Sequence, residues 1–199
     1  MITIVEPHSD DAWLSMGQHL IQMRERGQEV TILTVYGDAK RLAEARQYAT
    51  YIGARHRAIG LPESDRGANE RYETELPSGV LDGLDGIVIG PVGLQHPEHR
   101  AVARALPIGV LRYVELPYSR KQMLAAEVTR VLTGHEVVSW LPRSAMANAA
   151  SSIFKSQSQF WRFNREAMIG AVEVLVRAGA QRTAQDTIEL DRMLTTSPH

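Results

Sequence analysis

Along the first two-thirds of the chain, short apolar runs alternate with longer segments in which apolar residues recur at helical spacing. Residues 2–6 form a short run rich in β-branched side chains, which is typical of a buried strand. The next segment places Trp13, Met16 and Leu20 on one helical face, and Gly27 is a natural end for that helix. The chain therefore begins with a strand that leads directly into a helix.

The same two patterns predict the remaining elements. Apolar runs predict strands at residues 29–35, 56–60, 86–90, 109–116 and 136–141. Helical spacing predicts helices at residues 42–52, 97–106, 123–132 and 160–178. The polar stretch 61–79 predicts a long loop, whereas residues 183–194 suit either a helix or a strand.

The alternation of strands and helices predicts βαβ units, and hence an α/β fold whose mainly parallel sheet is covered by helices on both faces. The length of 199 residues suits a single domain over residues 1–199. Within it, residues 115–199 are expected to form a C-terminal part of strands and helices and the rim of a substrate site.

Composition narrows the classes of site and partner. The chain is 23% charged with a formal net charge of −1, so it has no general attraction to nucleic acid or to an anionic membrane. It contains no cysteine, which leaves His, Asp and Glu as metal ligands. No apolar run is long enough to span a membrane and the N-terminus lacks a signal-peptide pattern, so we expect a cytoplasmic protein. Phe160, Trp161 and Phe163 suit either a core or the interface of a homo-oligomer.

Two polar clusters carry the candidate chemistry. His8, Asp10 and Asp11 follow the first predicted strand, and His96 and His99 follow the fourth. Because the carboxyl ends of parallel strands meet at one edge of a sheet, we expect the two clusters to lie together. A capping role ahead of the helix explains one polar residue among residues 9–11, but not two carboxylates beside a histidine.

Two histidines and one carboxylate make a common catalytic zinc set with one position left open. The sequence therefore offers four candidates for three ligand positions: His8, Asp11, His96 and His99. Asp10 remains as a general base, and the spare histidine is available to stabilise a developing oxyanion.

These motifs resemble those of the PIG-L/LmbE-like de-N-acetylases. The family's His-Pro-Asp-Asp-Glu motif is matched by residues 8–12, and its His-Pro-Asp-His motif by residues 96–99. Between them, residues 34–38 resemble its Thr-x-Gly-Asp/Glu turn with one extra residue, and residues 41–53 resemble its Arg-x-x-Glu helix with a terminal Leu-Gly. The four motifs stand in the family's order over roughly the first 105 residues.

The resemblance implies a Rossmann-like three-layer αβα sandwich and a zinc-dependent hydrolase that removes acetyl from an N-acetylated amino sugar of the N-acetylglucosamine type. It implies three ligands for zinc or another divalent metal, namely His8, Asp11 and His99. It also implies Asp10 as the base and Arg41 as a substrate contact. His96 would steady the tetrahedral intermediate or protonate the leaving amine.

Three positions depart from the family pattern: Ser9 replaces proline, Ala12 replaces glutamate and Glu98 replaces aspartate. None of them is an expected metal ligand, but the missing carboxylate at Ala12 removes a contact to the substrate or to the residues around the metal. One alternative is therefore the same chemistry on a non-sugar acylated amine or a modified nucleotide sugar. Another is a non-catalytic metal-binding module with the same fold.

Overall fold

The structure is a computed structural model that describes residues 1–63, 74–94, 96–116, 133–144, 153 and 172–178. In these ranges the strands are β1 (Ile2–Glu6), β2 (Val30–Tyr36), β3 (Arg55–Leu61), β4 (Ile87–Pro91), β5 (Leu111–Tyr113), β6 (His135–Pro142) and β7 (Val172–Ala178). The helices are α1 (Asp11–Glu25), α2 (Ala39–Tyr51) and α3 (Pro97–Ala105). None of these helices is long and apolar enough to cross a membrane.

All seven strands belong to one sheet, in the order β3-β2-β1-β4-β5-β7-β6. Strands β1 to β5 are parallel to their neighbours, whereas β7 runs antiparallel to both β5 and β6. From the central β1 the chain first builds outward to β3 on one side, and later to β4 and β5 on the other. The carboxyl ends of β1 and β4 therefore flank the topological switch point, where α/β sheets bind ligands.

Alternation along the buried strands supplies two apolar layers, one on each face of the sheet. On one face, Ile4 packs with Trp13 of α1 and Tyr48 of α2. On the other face, Val5 belongs to a cluster that includes Val102 of α3. Helices on both faces of a mostly parallel sheet confirm the predicted α/β sandwich.

The predicted helix at residues 160–178 is wrong at its C-terminal end, because Val172–Ala178 is strand β7. Strand β7 pairs with β5 on one side and β6 on the other, and residues 173–176 are all buried. A strand buried on both faces reads as a continuous apolar run, so Leu175 fits a helical stripe and a central strand equally well. The backbone pairing of these residues with β5 and with β6 shows that they form a strand.

The other predicted elements that fall on described residues are present with shifted ends. The largest shift is in β5, which has 3 residues where the sequence predicts a strand over residues 109–116. Residues 62–63 and 74–79 of the predicted loop contain no helix or strand. Residues 64–73, the predicted helix at 123–132, the segment 160–171 and the ambiguous segment 183–194 lie outside the described residues.

Candidate metal centre

The turn between β1 and α1 carries the first polar cluster, and its shape depends on Glu6. The buried Glu6 carboxyl group accepts hydrogen bonds from the Ala12 amide at 2.9 Å and from the Thr34 hydroxyl at 2.6 Å. Glu6 therefore caps the first turn of α1, a role that the sequence suggested for a residue among 9–11. At the N-cap position, the Asp10 side chain makes no capping hydrogen bond and remains available for chemistry.

Three side chains from the two polar clusters meet at the switch point. His8 Nδ1 lies 3.4 Å from Asp11 Oδ2 and 3.1 Å from His99 Nε2. The third side of this triangle, from His99 Nε2 to Asp11 Oδ2, is 3.2 Å. Ligand atoms 2.0–2.1 Å from a tetrahedral zinc ion stand roughly 3.3–3.4 Å apart. The nitrogen, nitrogen and oxygen donors thus have the spacing and chemistry of a three-ligand zinc site.

His96 is the fourth candidate ligand and stands beside this triangle. Its ring centroid lies 4.8 Å from that of His8 and 5.2 Å from that of His99. One nitrogen from each of these three histidines falls within 4.8 Å of the other two, so the imidazoles form a second, overlapping set of metal donors. Among the described residues, His96 Nδ1 has no hydrogen-bond partner. The same nitrogen lies 3.6 Å from Glu98 Oε2, too far for a hydrogen bond, so His96 can either reach a metal or face a substrate.

Two further carboxylates lie next to the ring nitrogens of His8 and His99 that point away from the triangle. Glu98 Oε2 lies 2.6 Å from His8 Nε2, and Glu115 Oε1 lies 3.4 Å from His99 Nδ1. Glu115 Oε1 is itself held by the amides of Gly93 and Leu94, at 2.8 and 2.9 Å. A carboxylate on the outer nitrogen fixes the orientation of a metal-binding imidazole and raises its basicity. Both ligand histidines therefore present their other nitrogen to the triangle.

The carboxylates make this site favourable for positive charge. Burial opposes protonation of His8, but its hydrogen bonds to Asp11 and Glu98 outweigh burial and raise its pKa to about 10. Burial likewise opposes protonation of His99, while the charge of Asp11 raises its pKa to about 9. Burial disfavours ionisation of Asp11, yet the two imidazolium groups lower its pKa below the usual range. Without a metal, the site holds protons where a cation would bind.

The pKa values of Asp10 and His96 shift in the opposite directions to those of Asp11 and the two ligand histidines. Burial and the neighbouring charge of Asp11 raise the pKa of Asp10 to about 7. Burial and the positive charges of His99 and His8 lower the pKa of His96 to about 3. At neutral pH, Asp10 is therefore close to its titration point and His96 is an uncharged imidazole.

Arg41 lies on the β2 side of the same sheet edge, at the start of α2. Its backbone amide donates to the Asp38 carboxylate at 2.8 Å, which caps α2. Its guanidinium forms an ion pair with Glu63, which follows β3. The positive charge of Arg41 reaches Asp10 and acts to lower the pKa of that carboxyl. Arg41 is thus a neighbour of the centre.

The structure therefore brings together His8, Asp11, His96 and His99, as the sequence predicts, and buries Asp10 beside them. Sequence reasoning missed the parts played by Glu6, Glu98 and Glu115. Glu6 and Glu115 each interrupt or end an apolar run that predicts a buried strand. A carboxylate in that position needs a buried partner, which is the signal that could have identified both residues.

Comparisons with known proteins find relatives only among solved structures, since no family model and no curated protein matches. The A40926 pseudoaglycone deacetylase Dbv21 is 20% identical, with a TM-score of 0.63 over 92% of this chain and 98% of that one. The zinc-inhibited form of teicoplanin deacetylase Orf2 is 18% identical, with a TM-score of 0.61 over 89% and 98%. The 4-carboxy-2-hydroxymuconate hydratase GalB from Pseudomonas putida KT2440 is 13% identical, with a TM-score of 0.56 over 92% and 97%.

At these identities the comparisons establish the fold. They confirm the fold that the resemblance to PIG-L/LmbE-like deacetylases implies. Because deacetylases and a hydratase share this fold, the activity has to be argued from the site itself.

Proposed function

We propose that the chain is a metal-dependent hydrolase that releases acetate from an N-acetylated amine, with an amino sugar or its conjugate as the substrate class. The observation that carries this proposal is the triangle of His8, Asp11 and His99 donor atoms, with sides of 3.1–3.4 Å. The carboxylates behind His8 and His99 support it, because metal-binding imidazoles are commonly oriented in this way. Two proteins with the same fold are deacetylases.

We take Asp11, rather than His96, as the third ligand. Asp11 Oδ2 lies within 3.4 Å of donor atoms on both His8 and His99. His96 is more useful beside the metal, because a pKa lowered to about 3 keeps its imidazole uncharged at neutral pH, and the neutral ring still has one N–H to donate.

The residues around the triangle supply the parts of an amide hydrolysis. When bound, zinc lowers the pKa of a coordinated water to about 7 and polarises a carbonyl oxygen. Asp10, the buried carboxyl group beside the triangle, accepts the proton of the attacking water and holds it for the leaving amine. His96 donates a hydrogen bond to the acetyl oxygen as negative charge develops on it, a contact worth about 2.7–4 kcal/mol of barrier.

The substrate class is proposed from the resemblance and from the polar neighbours of the site. Ala12 is fully buried in the apolar core beneath α1, and its amide is capped by Glu6. A substrate therefore does not meet the side chain at position 12. Arg41 and Glu63 offer a donor and an acceptor at the β2 side of the site, which suits the hydroxyl groups of a sugar better than an apolar acyl amine.

A substrate panel tests the activity directly. Zinc-loaded protein is incubated with N-acetylglucosamine conjugates, modified nucleotide sugars and non-sugar N-acetyl amines, and both acetate and free amine are measured. We expect equal amounts of the two products from the sugar conjugates. Turnover of only the non-sugar amides would support the alternative substrate class, and a protein that binds zinc but hydrolyses none of them would be a non-catalytic module.

The variant Asp10→Asn is the matched control for that panel. It keeps the size of the side chain but cannot accept the proton, so we expect unchanged zinc content and a loss of kcat of about 10²–10⁴-fold. Full turnover by this variant would exclude Asp10 as the base.

A further inference from the structure

The middle of α1 is joined to the C-terminal strands by a buried ion pair, Arg143 with Glu173. Arg143 follows β6 and Glu173 lies on β7. Both side chains are completely buried, and Arg143 Nη1 lies 2.8 Å from Glu173 Oε1. No step of the proposed reaction uses either residue.

The pair binds the backbone of α1 on both sides of one turn. Arg143 Nη1 donates to the carbonyls of Trp13 and Leu14, at 2.8 and 3.0 Å. The Glu173 carboxylate accepts from the amide of Gln18 at 2.8 Å and from the amide of His19 at 3.1 Å. In a regular α-helix the amide of residue 18 faces the carbonyl of residue 14. The ion pair therefore contacts both the acceptor and the donor of one helical hydrogen bond, the Leu14 carbonyl and the Gln18 amide.

Gly17 provides the space for this arrangement. A Cβ atom at position 17 would lie 2.9 Å from Arg143 Nη1, closer than such atoms approach in folded proteins. The absence of a side chain lets the guanidinium reach the helix backbone.

A buried ion pair is a poor way to gain stability, since apolar side chains of similar volume often serve as well or better. What this pair does add is a fixed position for the start of α1. Trp13 and Leu14 lie two and three residues after Asp11, and the Leu14 amide donates to the Asp10 carbonyl at 2.8 Å. Arg143 is thus bonded to the same helical turn that carries the proposed base and one proposed ligand.

We propose that Arg143 and Glu173 are positioning residues that set the first turn of α1, with Asp10 and Asp11, against His99 on α3. This inference rests on the metal centre of the proposed function. It also gives the C-terminal strands a role in the site, because β6 and β7 hold the helix that supplies half of it.

The test replaces the pair together. Arg143→Met with Glu173→Gln removes both charges of the pair, and the glutamine oxygen can still accept from His19 Nδ1, which lies 3.0 Å from Glu173 Oε2. We therefore expect the variant to fold with a melting temperature near that of the wild type. Its affinity for zinc, measured by chelator competition well below that temperature, should fall about tenfold. With substrate, kcat should fall while KM changes little, because Asp10 and Asp11 are displaced and Arg41 is not.

Arg143→Lys should recover part of the zinc affinity, since a lysine ammonium can still donate to the Trp13 and Leu14 carbonyls. The matched control is Ser139→Ala, which removes only the 3.2 Å contact of Ser139 Oγ with His19 Nε2 and should leave zinc affinity unchanged.

Wild-type zinc affinity in the folded double variant would overturn the inference. If the wild type binds zinc but hydrolyses nothing, the proposed hydrolase fails while the loss of zinc affinity still tests the positioning role. A wild type that binds no zinc would overturn both.

Discussion

At the scale of single residues, the protonation of the candidate site depends on the interaction of its buried carboxylates with its buried imidazoles. Asp11, Glu98 and Glu115 surround His8 and His99 with acceptors, so the metal-free site raises the pKa of His8 to about 10 and of His99 to about 9. Zinc needs both imidazoles in the neutral form. Metal and protons therefore compete for the same two nitrogens.

This competition predicts an unusual pH dependence of metal binding. As the pH rises from about 6 to about 9, the apparent zinc affinity should keep increasing, by roughly ten- to a hundredfold per pH unit, because one or two protons leave as the metal binds. Chelator-buffered zinc titrations at several pH values measure it. Histidines with the ordinary pKa of about 6.5 would give an affinity that levels off near pH 7, and that result would contradict the described electrostatics.

Two substitutions separate the two possible ligand sets. Asp11→Asn should weaken zinc binding roughly a hundredfold or more, since it removes a charged donor. His96→Ala should leave the affinity within about a fewfold of the wild type and reduce kcat instead, because it removes an oxyanion donor. The reverse pattern, with zinc lost on substitution of His96 and kept on substitution of Asp11, would favour the three-histidine set.

Residue types in the two motifs were enough to predict which side chains meet. His8, Asp11 and His99 follow the ends of strands that the hydrophobic pattern predicts, and the carboxyl ends of parallel strands share an edge. The carboxylates beside the ligand histidines could not be predicted in the same way. Glu115 reaches His99 only through the position of β5, and its contact with the ligand depends on strand order, which no local pattern carries.

At the scale of elements, the junction of β1 and α1 depends on a carboxyl group that lies inside the strand layer. Burial raises the pKa of Glu6 to about 8, although its hydrogen bonds from Thr34 and Ala12 act in the opposite direction. Between about pH 4.5 and pH 8 the folded protein therefore holds a proton that the unfolded chain has released. The contribution of Glu6 to stability is present below that range and is lost as the pH rises through it.

The variant Glu6→Gln tests this dependence, because glutamine keeps the shape and an accepting oxygen without a titrating proton. Relative to the wild type, it should become more stable as the pH is raised from about 5 to about 8, by up to about 3 kcal/mol. Urea unfolding of metal-free protein at both pH values measures the difference. A constant difference between the two proteins would show that Glu6 is ionised across the range.

Strand β7 shows where element prediction fails. The sequence around Leu175 satisfies a helical stripe, yet Val172–Ala178 pairs with a strand on each side. Both partner strands are thirty or more positions away along the chain, since β6 ends at Pro142 and β5 ends at Tyr113. Short local patterns cannot report such pairings, so tertiary context overrides them.

At the scale of the whole molecule, the order of the strands in the sheet brings the two separate sequence motifs together at one site. Strand β1 lies between β2 and β4, so the turn after β1 faces Arg41 and Tyr36 on one side and the start of α3 on the other. The mainly parallel sheet was predictable from the alternation of elements. The antiparallel pairing of β6 with β7, and the Arg143–Glu173 ion pair that is hydrogen-bonded to α1, were not, because both depend on contacts between residues far apart in the chain.

The most direct test of the central claim is a crystal structure of the protein grown with zinc, with anomalous data collected on both sides of the zinc absorption edge. We expect one strong anomalous peak about 2.0–2.2 Å from His8 Nδ1, Asp11 Oδ2 and His99 Nε2, with Asp10 beside it and uncoordinated. A zinc ion bound elsewhere, or one bound at this edge without Asp11, would contradict it.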